Sequence, residues 1–140
     1  MAKTEITEDY VSFETAQLLK QKGFAVPVKT FYNPKYRGEK VSDGTALINY
    51  NADPEDGSVL CSAPTLQMAC KWLREVHEVC VYCYNTNSRV KQYGKYEAGA
   101  SWIKDDVSVI FHNSAHSLFA DTYEEAVESV IRYCLTNIID

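Results

Sequence analysis

The C-terminal segment from Thr122 to Ile138 restricts the fold more than any other part of the chain. It opens with Thr122-Tyr123-Glu124-Glu125, in which the Thr122 hydroxyl and the Glu125 carboxylate can each bond a backbone amide of the first helical turn. Apolar residues then recur at three- and four-residue steps, namely Tyr123, Val127, Val130, Ile131, Cys134 and Ile138. The pattern predicts a capped helix with one buried face, which needs a sheet or other helices to pack against.

A second helix is predicted from Ser12 to Lys22, near the start of the chain. Ser12 is a preferred N-cap residue, and Gly23 suits the left-handed position that follows many helices. In that arrangement Phe24 contacts Leu19.

A third helix is predicted from Pro64 to about His77, because proline is tolerated in a first turn. The residues expected on its buried stripe are Leu66, Ala69, Leu73 and Val76, with Cys70 and Trp72 beside them.

Between the helix predicted from Pro64 to about His77 and the C-terminal helix, three segments are rich in β-branched and aromatic residues. These segments predict antiparallel strands. They are Val79 to Tyr84, Val90 to Ile103 and Asp106 to His112. The order from Pro64 onward is therefore α-β-β-β-α. We predict an α+β fold with a three-stranded antiparallel sheet, an additional N-terminal helix and a turn-rich insertion.

The segment from Ala25 to Cys61 is interrupted by turn-forming dipeptides such as Asp43-Gly44 and Asp56-Gly57. Only Thr45 to Tyr50 has the character of a strand. We expect a single domain with an N-terminal helix in residues 1–24, this turn-rich segment in residues 25–61 and the α-β-β-β-α body in residues 62–140. The turn-rich segment is either a connection or a functional loop region.

Composition narrows the class of protein. The chain has 140 residues, 46% of them apolar, and a net charge of −5, so its overall field does not attract polyanions. No apolar run is long enough for a signal peptide core or a membrane span. Five cysteines, an odd number, are expected to be reduced thiols, which predicts a cytoplasmic location.

Cys80 and Cys83 have the spacing of a zinc or redox motif, and His112 and His116 lie further along. However, residues three apart on a strand point to opposite faces, so the two thiolates reach one metal only if the chain turns between them. We therefore interpret both cysteines as small buried side chains. A hydrolase that uses His112 or His116 has no motif to support it, and no cofactor is predicted.

Two segments, residues 29–40 and 89–96, combine cationic and aromatic side chains. Such residues grip phosphate while stacking a base, as in nucleotide or single-stranded nucleic-acid sites. The candidate ligand-binding residues are Lys35, Tyr36, Arg37, Arg89, Lys91, Tyr93 and Lys95. The alternative is a solvated loop and the outer face of a strand.

Three stretches, Ile6 to Phe24, Ser62 to His77 and Asp121 to Ile139, resemble small uncharacterised proteins encoded by bacteriophages and by prophage regions of anaerobic gut bacteria. The resemblance implies a small accessory protein that acts inside an infected or lysogenic cell. It assigns no activity and no catalytic residue.

The sequence favours a non-enzymatic binding or accessory protein that engages a host protein or a small anionic ligand. The alternative is a nucleotide or single-stranded nucleic-acid binding module that uses the two basic-aromatic segments. No membrane contact is expected, and a homo-oligomer is compatible with a sheet that has open edges.

Overall fold

The computed structural model describes residues 5–36, 40–52, 60–86, 93–103, 109–111 and 118–140. Within these ranges the chain forms three α-helices and two antiparallel sheets, so the predicted α+β class is confirmed. The α-helices are α1 (Phe13–Gln21), α2 (Leu66–His77) and α3 (Tyr123–Asn137). The strands are β1 (Val28–Tyr32), β2 (Ser42–Ile48), β3 (Cys61–Ser62), β4 (Val79–Asn85), β5 (Tyr96–Trp102), β6 (Val109–Phe111) and β7 (Leu118–Ala120).

Helix α1 has the two ends that its sequence predicts. The Ser12 hydroxyl accepts a hydrogen bond from the Thr15 amide at 3.3 Å. Gly23 has a φ of 89°, and the Phe24 amide donates to the Leu19 carbonyl at 2.9 Å. This bond, from the second residue after the cap back into the last turn, is the Schellman ending.

Helix α2 begins at Leu66, because the Thr65 hydroxyl caps it by accepting a hydrogen bond from the Met68 amide at 3.1 Å. The predicted start at Pro64 was therefore two residues early. Val76 was predicted on the buried stripe but is 58% exposed. It lies in the last turn of α2, at the rim of an open hollow, and Trp72 is buried one turn earlier.

Helix α3 begins at the predicted residue, with the Thr122 hydroxyl accepting a hydrogen bond from the Glu125 amide at 3.1 Å, but the predicted bond to the Glu125 carboxylate is not formed with the described residues. Its apolar face is buried except at Tyr123, which was predicted on that face but is 48% exposed in the first turn. It packs on β4, β5 and β7 and against α1. The buried residues of α3 are Ala126, Val127, Val130, Ile131, Cys134 and Leu135.

The larger sheet contains the three predicted strands and one more. β4 pairs with β5 over seven consecutive residue pairs, and β6 and β7 both pair with the other edge of β5. β7 has only three residues, too few for a periodic pattern to show. Gly99 of β5 lies beneath the Tyr82 ring, where a Cβ would come within 2.6 Å of the phenolic oxygen.

The turn-rich segment carries a sheet of its own, with strand order β2-β1-β3. The predicted strand from Thr45 to Tyr50 overlaps β2, whereas β1 was not predicted. β1 is five residues long and is flanked by Pro27 and Asn33-Pro34, so the turn signals on both sides mask it. Val28, Thr30 and Tyr32 alternate inward, and the Thr30 hydroxyl donates to the Ala63 carbonyl at 2.6 Å.

Both sheets and all three helices contribute to one cluster of buried apolar residues. Phe24 and Trp72 meet in it edge to face, with ring centroids 5.4 Å apart. None of the helices in the described ranges has the length and apolar character that crossing a membrane requires. Because α3 packs on one face of the larger sheet, its polar side remains available to form a surface with the start of α1.

Candidate functional site

A cleft of about 720 Å³ lies where the start of α1 meets the N-terminal half of α3 and the end of β7. The elements that form it are far apart in the chain. Its wall consists of Ser12, Phe13, Glu14, Tyr93, Phe119, Ala120, Asp121, Glu125, Glu128, Ser129 and Arg132. We call this feature the acidic cleft.

Two contacts hold the helices together along the acidic cleft. The Glu128 carboxylate accepts a short hydrogen bond from the Ser12 amide, which is one of the unpaired donors at the start of α1. Arg132 Nη1 lies 3.1 Å from Glu14 Oε2 in an ion pair whose side chains are 42% and 75% exposed. Two of the carboxylates in the cleft thus have a structural role.

The cleft carries an excess of negative charge. Among the described residues of its wall, four carboxylates, from Glu14, Asp121, Glu125 and Glu128, stand against the guanidinium of Arg132, so the formal charge of these residues is −3. The N-termini of α1 and α3 each contribute roughly +0.5 of an elementary charge, so about −2 remains. The carboxylates of Asp121 and Glu125 are exposed and make no hydrogen bond or ion pair with the described residues.

An aromatic wall stands beside these carboxylates. The rings of Tyr93 and Phe119 lie 5.6 Å apart at an interplanar angle of 47°, and Tyr93 is 62% exposed. The faces of aromatic rings carry partial negative charge and attract cations. Rings and carboxylates in this cleft therefore favour the same kind of ligand, a positively charged group with an apolar stem.

The described residues among those predicted to bind an anion lie in different elements of the fold. Lys35 and Tyr36 lie in a short 3₁₀ helix, Pro34–Tyr36, that follows β1. Tyr93 lines the acidic cleft, and Lys95 is exposed just before β5.

The three remaining residues of that prediction, Arg37, Arg89 and Lys91, lie outside the described residues. Within the described ranges, no hydrogen bond, ion pair or ring contact joins the first segment to the second. Anion binding by these residues stays a prediction, and for Tyr93 the neighbouring carboxylates oppose it.

The residues that sequence reasoning missed are Asp121, Glu125 and Glu128. Asp121 and Glu125 were assigned to the start of the last helix, where an acidic side chain needs no further explanation. The signal that was present is the spacing of Glu125, Glu128 and Arg132, which places them on one polar side of α3.

Cys80 and Cys83 lie on opposite faces of β4, as strand geometry predicts, but both are partly exposed, so the interpretation of both as buried side chains was wrong. Cys83 packs against the core, whereas Cys80 lies on the opposite side of β4. In the described part of the chain no three His, Cys, Asp or Glu side chains are grouped closely enough to hold a metal ion. His112 and His116, the other members of the proposed site, lie outside the described residues.

The thiols of the core are held in the protonated form. Burial raises the pKa of Cys70 and Cys83 to about 11, and that of Cys134 to about 12. Because a thiolate is the nucleophilic form, these three cysteines are poor nucleophiles at neutral pH.

His77 is the described histidine, and it has one unpaired nitrogen. Its Nε2 is buried and has no hydrogen-bond partner in the described ranges, and its ring lies 4.7 Å from that of Trp72. Burial lowers the pKa of His77, and nearby Lys22 lowers it further. The neutral imidazole faces a hollow of about 280 Å³ beside Trp102 and the C-terminal residues.

A second groove, of about 540 Å³, runs between α2, β4 and the start of α3. It differs from the acidic cleft in its charges, since Lys71 and Arg74 line it together with Glu8. Leu66, Val81 and other apolar side chains form its floor.

No protein-family model, curated protein or solved structure matches this chain. The geometry of the clefts is therefore the basis for any functional conclusion.

Proposed function

We propose that the protein is a non-enzymatic binding protein and that the acidic cleft is its binding surface for positively charged groups. The observation that carries this proposal is the pairing of the exposed Asp121 and Glu125 carboxylates with the Tyr93 and Phe119 rings on one concave wall. The partner is a protein that presents lysine or arginine side chains.

The size of the cleft supports a side-chain ligand. A volume of about 720 Å³ exceeds what one lysine side chain fills, so the cleft has room for a short basic segment. A lysine places its apolar stem along an aromatic ring and its ammonium group among carboxylates. Exposed ion pairs contribute at most about 1 kcal/mol each, so we expect modest affinity that salt weakens.

The resemblance to phage and prophage proteins adds a cellular setting to this proposal. In that setting the protein acts in the cytoplasm of an infected or lysogenic cell, and its partner is a basic surface of a host protein.

The proposal is tested by fluorescence anisotropy with a dye-labelled oligolysine peptide at low and at high salt. We expect binding at low salt that weakens as salt rises. The double variant Asp121→Asn/Glu125→Gln should bind about five- to twenty-fold more weakly, since it removes two exposed charge contacts.

The matched control is Asp43→Asn/Glu75→Gln, which changes the net charge by the same amount at two exposed positions outside the cleft. Equal losses in the two double variants would reduce the effect to overall charge and overturn the assignment to the acidic cleft.

The alternative function is nucleotide or single-stranded nucleic-acid binding through Lys35, Tyr36, Arg37, Arg89, Lys91, Tyr93 and Lys95. The same instrument tests it with a labelled oligodeoxythymidine. Salt-sensitive binding of the oligonucleotide without binding of oligolysine would favour the alternative and overturn the proposal. Tyr93 belongs to both candidate sites, so a Tyr93→Ala variant does not separate them.

A further inference from the structure

The outer edge of β4, which has no strand partner among the described residues, is a second surface suited to binding. β4 is the outermost strand of its sheet, with the order β4-β5-β6, and it pairs with β5 from Val79 to Asn85 without a register shift. A regular edge strand exposes a row of backbone donors and acceptors that another strand can bond.

Two hydrogen bonds fix which residues of β4 face that edge. The Thr86 amide donates to the Lys95 carbonyl, and the Ile103 amide donates to the Glu78 carbonyl, both at 2.8 Å. In an antiparallel ladder the bonded residues alternate, so the even-numbered residues of β4 bond β5. The backbone groups of Val81, Cys83 and Asn85 therefore point away from β5, and no bond to any other described residue satisfies them.

The usual protections of an edge strand are missing from β4. Its sequence, VCVYCYN, contains no charged residue and no proline, and its ladder contains no bulge. Val81 and Cys83 are partly accessible, while Tyr84 and Asn85 are exposed. Natural sheets blunt such edges or cover them.

We propose that a second copy of this chain covers the edge, with the two β4 strands antiparallel about a two-fold axis at Cys83. In this register Cys83 faces its own copy, and Val81 faces Asn85. All outward backbone groups of these residues are then paired, in about six hydrogen bonds. The result is one continuous sheet across two protomers.

The side chains on the outer face fit the same register. Tyr82 and Tyr84 lie there with parallel rings 6.3 Å apart, and Tyr84 is 44% exposed. Across the axis, Tyr82 of one protomer stands directly opposite Tyr84 of its partner. Cross-strand aromatic pairs stabilise sheets, and the uncharged strand meets its copy without like-charge repulsion. The tyrosine pairs across the axis and the absence of charge on β4 favour a second copy of this chain over an unrelated strand.

The oligomeric state tests the proposal, measured by size-exclusion chromatography with light scattering over a range of protein concentrations. We expect a dimer for the wild type. Asn85→Pro removes an outward amide but no bond to β5, so this variant should be monomeric while it keeps the circular-dichroism spectrum of the wild type. The control Asn85→Ser keeps the amide and should remain dimeric. A monomeric wild type, or an Asn85→Pro variant that is still dimeric, would overturn the proposal.

A second proline variant and a cross-linking experiment also test the proposed dimer. Cys83→Pro likewise removes an outward amide and no bond to β5, although it also replaces a side chain that packs against the core, and it is the second variant if Asn85→Pro fails to fold. In the proposed register the Cys83 Cα atoms are about 5.5 Å apart, within disulfide range. Diamide, which accepts the two electrons and two protons of two thiols, should therefore form a Cys83–Cys83 bond between protomers when the reaction is run near pH 10, where part of the Cys83 thiol, with its pKa of about 11, is ionised. A wild-type dimer that gives no such bond by mass spectrometry would overturn the register.

Discussion

The two sides of helix α3 serve different purposes, and the difference separates what holds the molecule together from what it presents to a partner. On one side Ile131 and Cys134 are fully buried against the sheet. On the other side Glu125, Glu128 and Arg132 line the acidic cleft. The buried side is apolar and tightly packed, whereas the cleft side is charged and partly exposed.

This comparison teaches that one helix can carry both the core and the site. Substitutions on the buried side should change the free energy of unfolding, because packing determines it. Substitutions on the cleft side should change binding, because exposed charges contribute little to folding. Glu128 is the intermediate case, since its carboxylate lines the cleft and also bonds the Ser12 amide.

The largest effect is expected for Ile131→Ala on the buried side of α3. The truncation leaves a cavity in a fully buried position and should cost about 2–5 kcal/mol of unfolding free energy. Urea denaturation measures the loss. The control Ser129→Ala, on the cleft side of the same helix, should stay within about 0.5 kcal/mol of the wild type. Similar losses of unfolding free energy in both variants would contradict the claim that only the buried side of α3 determines stability.

Alkaline pH tests the buried side through Cys134, whose pKa burial raises to about 12 in the folded state. A raised pKa means that the folded state keeps its proton longer than the unfolded state does. This contribution to stability is complete below pH 9, which is the pKa of the thiol in the unfolded chain. It is lost as the pH rises toward 12. The slope is about 1.4 kcal/mol per pH unit for one thiol.

Urea denaturation at several pH values between 8 and about 11 would show this slope, which belongs to the interval between the two pKa values. In Cys134→Ala the slope should be smaller by the contribution of one thiol, about 1.4 kcal/mol per pH unit. Cys70, Cys83 and the tyrosines continue to contribute. An unchanged slope would mean that Cys134 does not titrate differently in the folded and unfolded states.

Glu128→Ala should cost about 1.5–3 kcal/mol, because it removes a charged acceptor from the Ser12 amide at the start of α1. Glu125→Gln is the comparison on the same side of α3. Its carboxylate has no such partner, so only the helix-dipole contribution, below about 1 kcal/mol, is lost. Thermal unfolding followed by circular dichroism ranks the two variants, and the reverse order would contradict the assigned roles.

Arg132→Gln is expected to have the smallest effect on folding and an opposite effect on binding. The ion pair with Glu14 is exposed, so its loss should cost no more than about 1 kcal/mol. Removing the cation from the cleft wall should strengthen oligolysine binding severalfold, an effect that anisotropy titration detects. Weaker binding would indicate that Arg132 contacts the ligand or that the ligand is an anion.

The helices could be predicted because their signals are local. Ser12, Gly23 and Thr122 mark ends that depend on neighbouring residues only, and the structure has these ends. The strands β1 and β7 escaped prediction because short strands are defined by their pairing partners. β1 pairs with β2 on one side and with β3 on the other. These partners lie well apart in the chain, so no local sequence pattern predicts the pairs.

The acidic cleft could not be predicted for the same reason. Glu128 and Ser12 are 116 residues apart in the chain, and their contact depends on how α1 packs on α3. The sequence predicts a binding surface that includes Tyr93 together with cations. Among the described residues, the structure places Asp121 and Glu125 on the same wall as that ring, and sequence spacing gave no sign of this.

The central claim is that the acidic cleft receives a positively charged group beside Tyr93. Chemical-shift mapping by ¹⁵N–¹H NMR during an oligolysine titration tests it most directly. The account predicts that the largest shifts occur at the amides of Glu125, Ser129 and Phe119, with little change at Lys35 and Lys71. Shifts concentrated at Lys35 or Lys71, or none at saturating peptide, would contradict it.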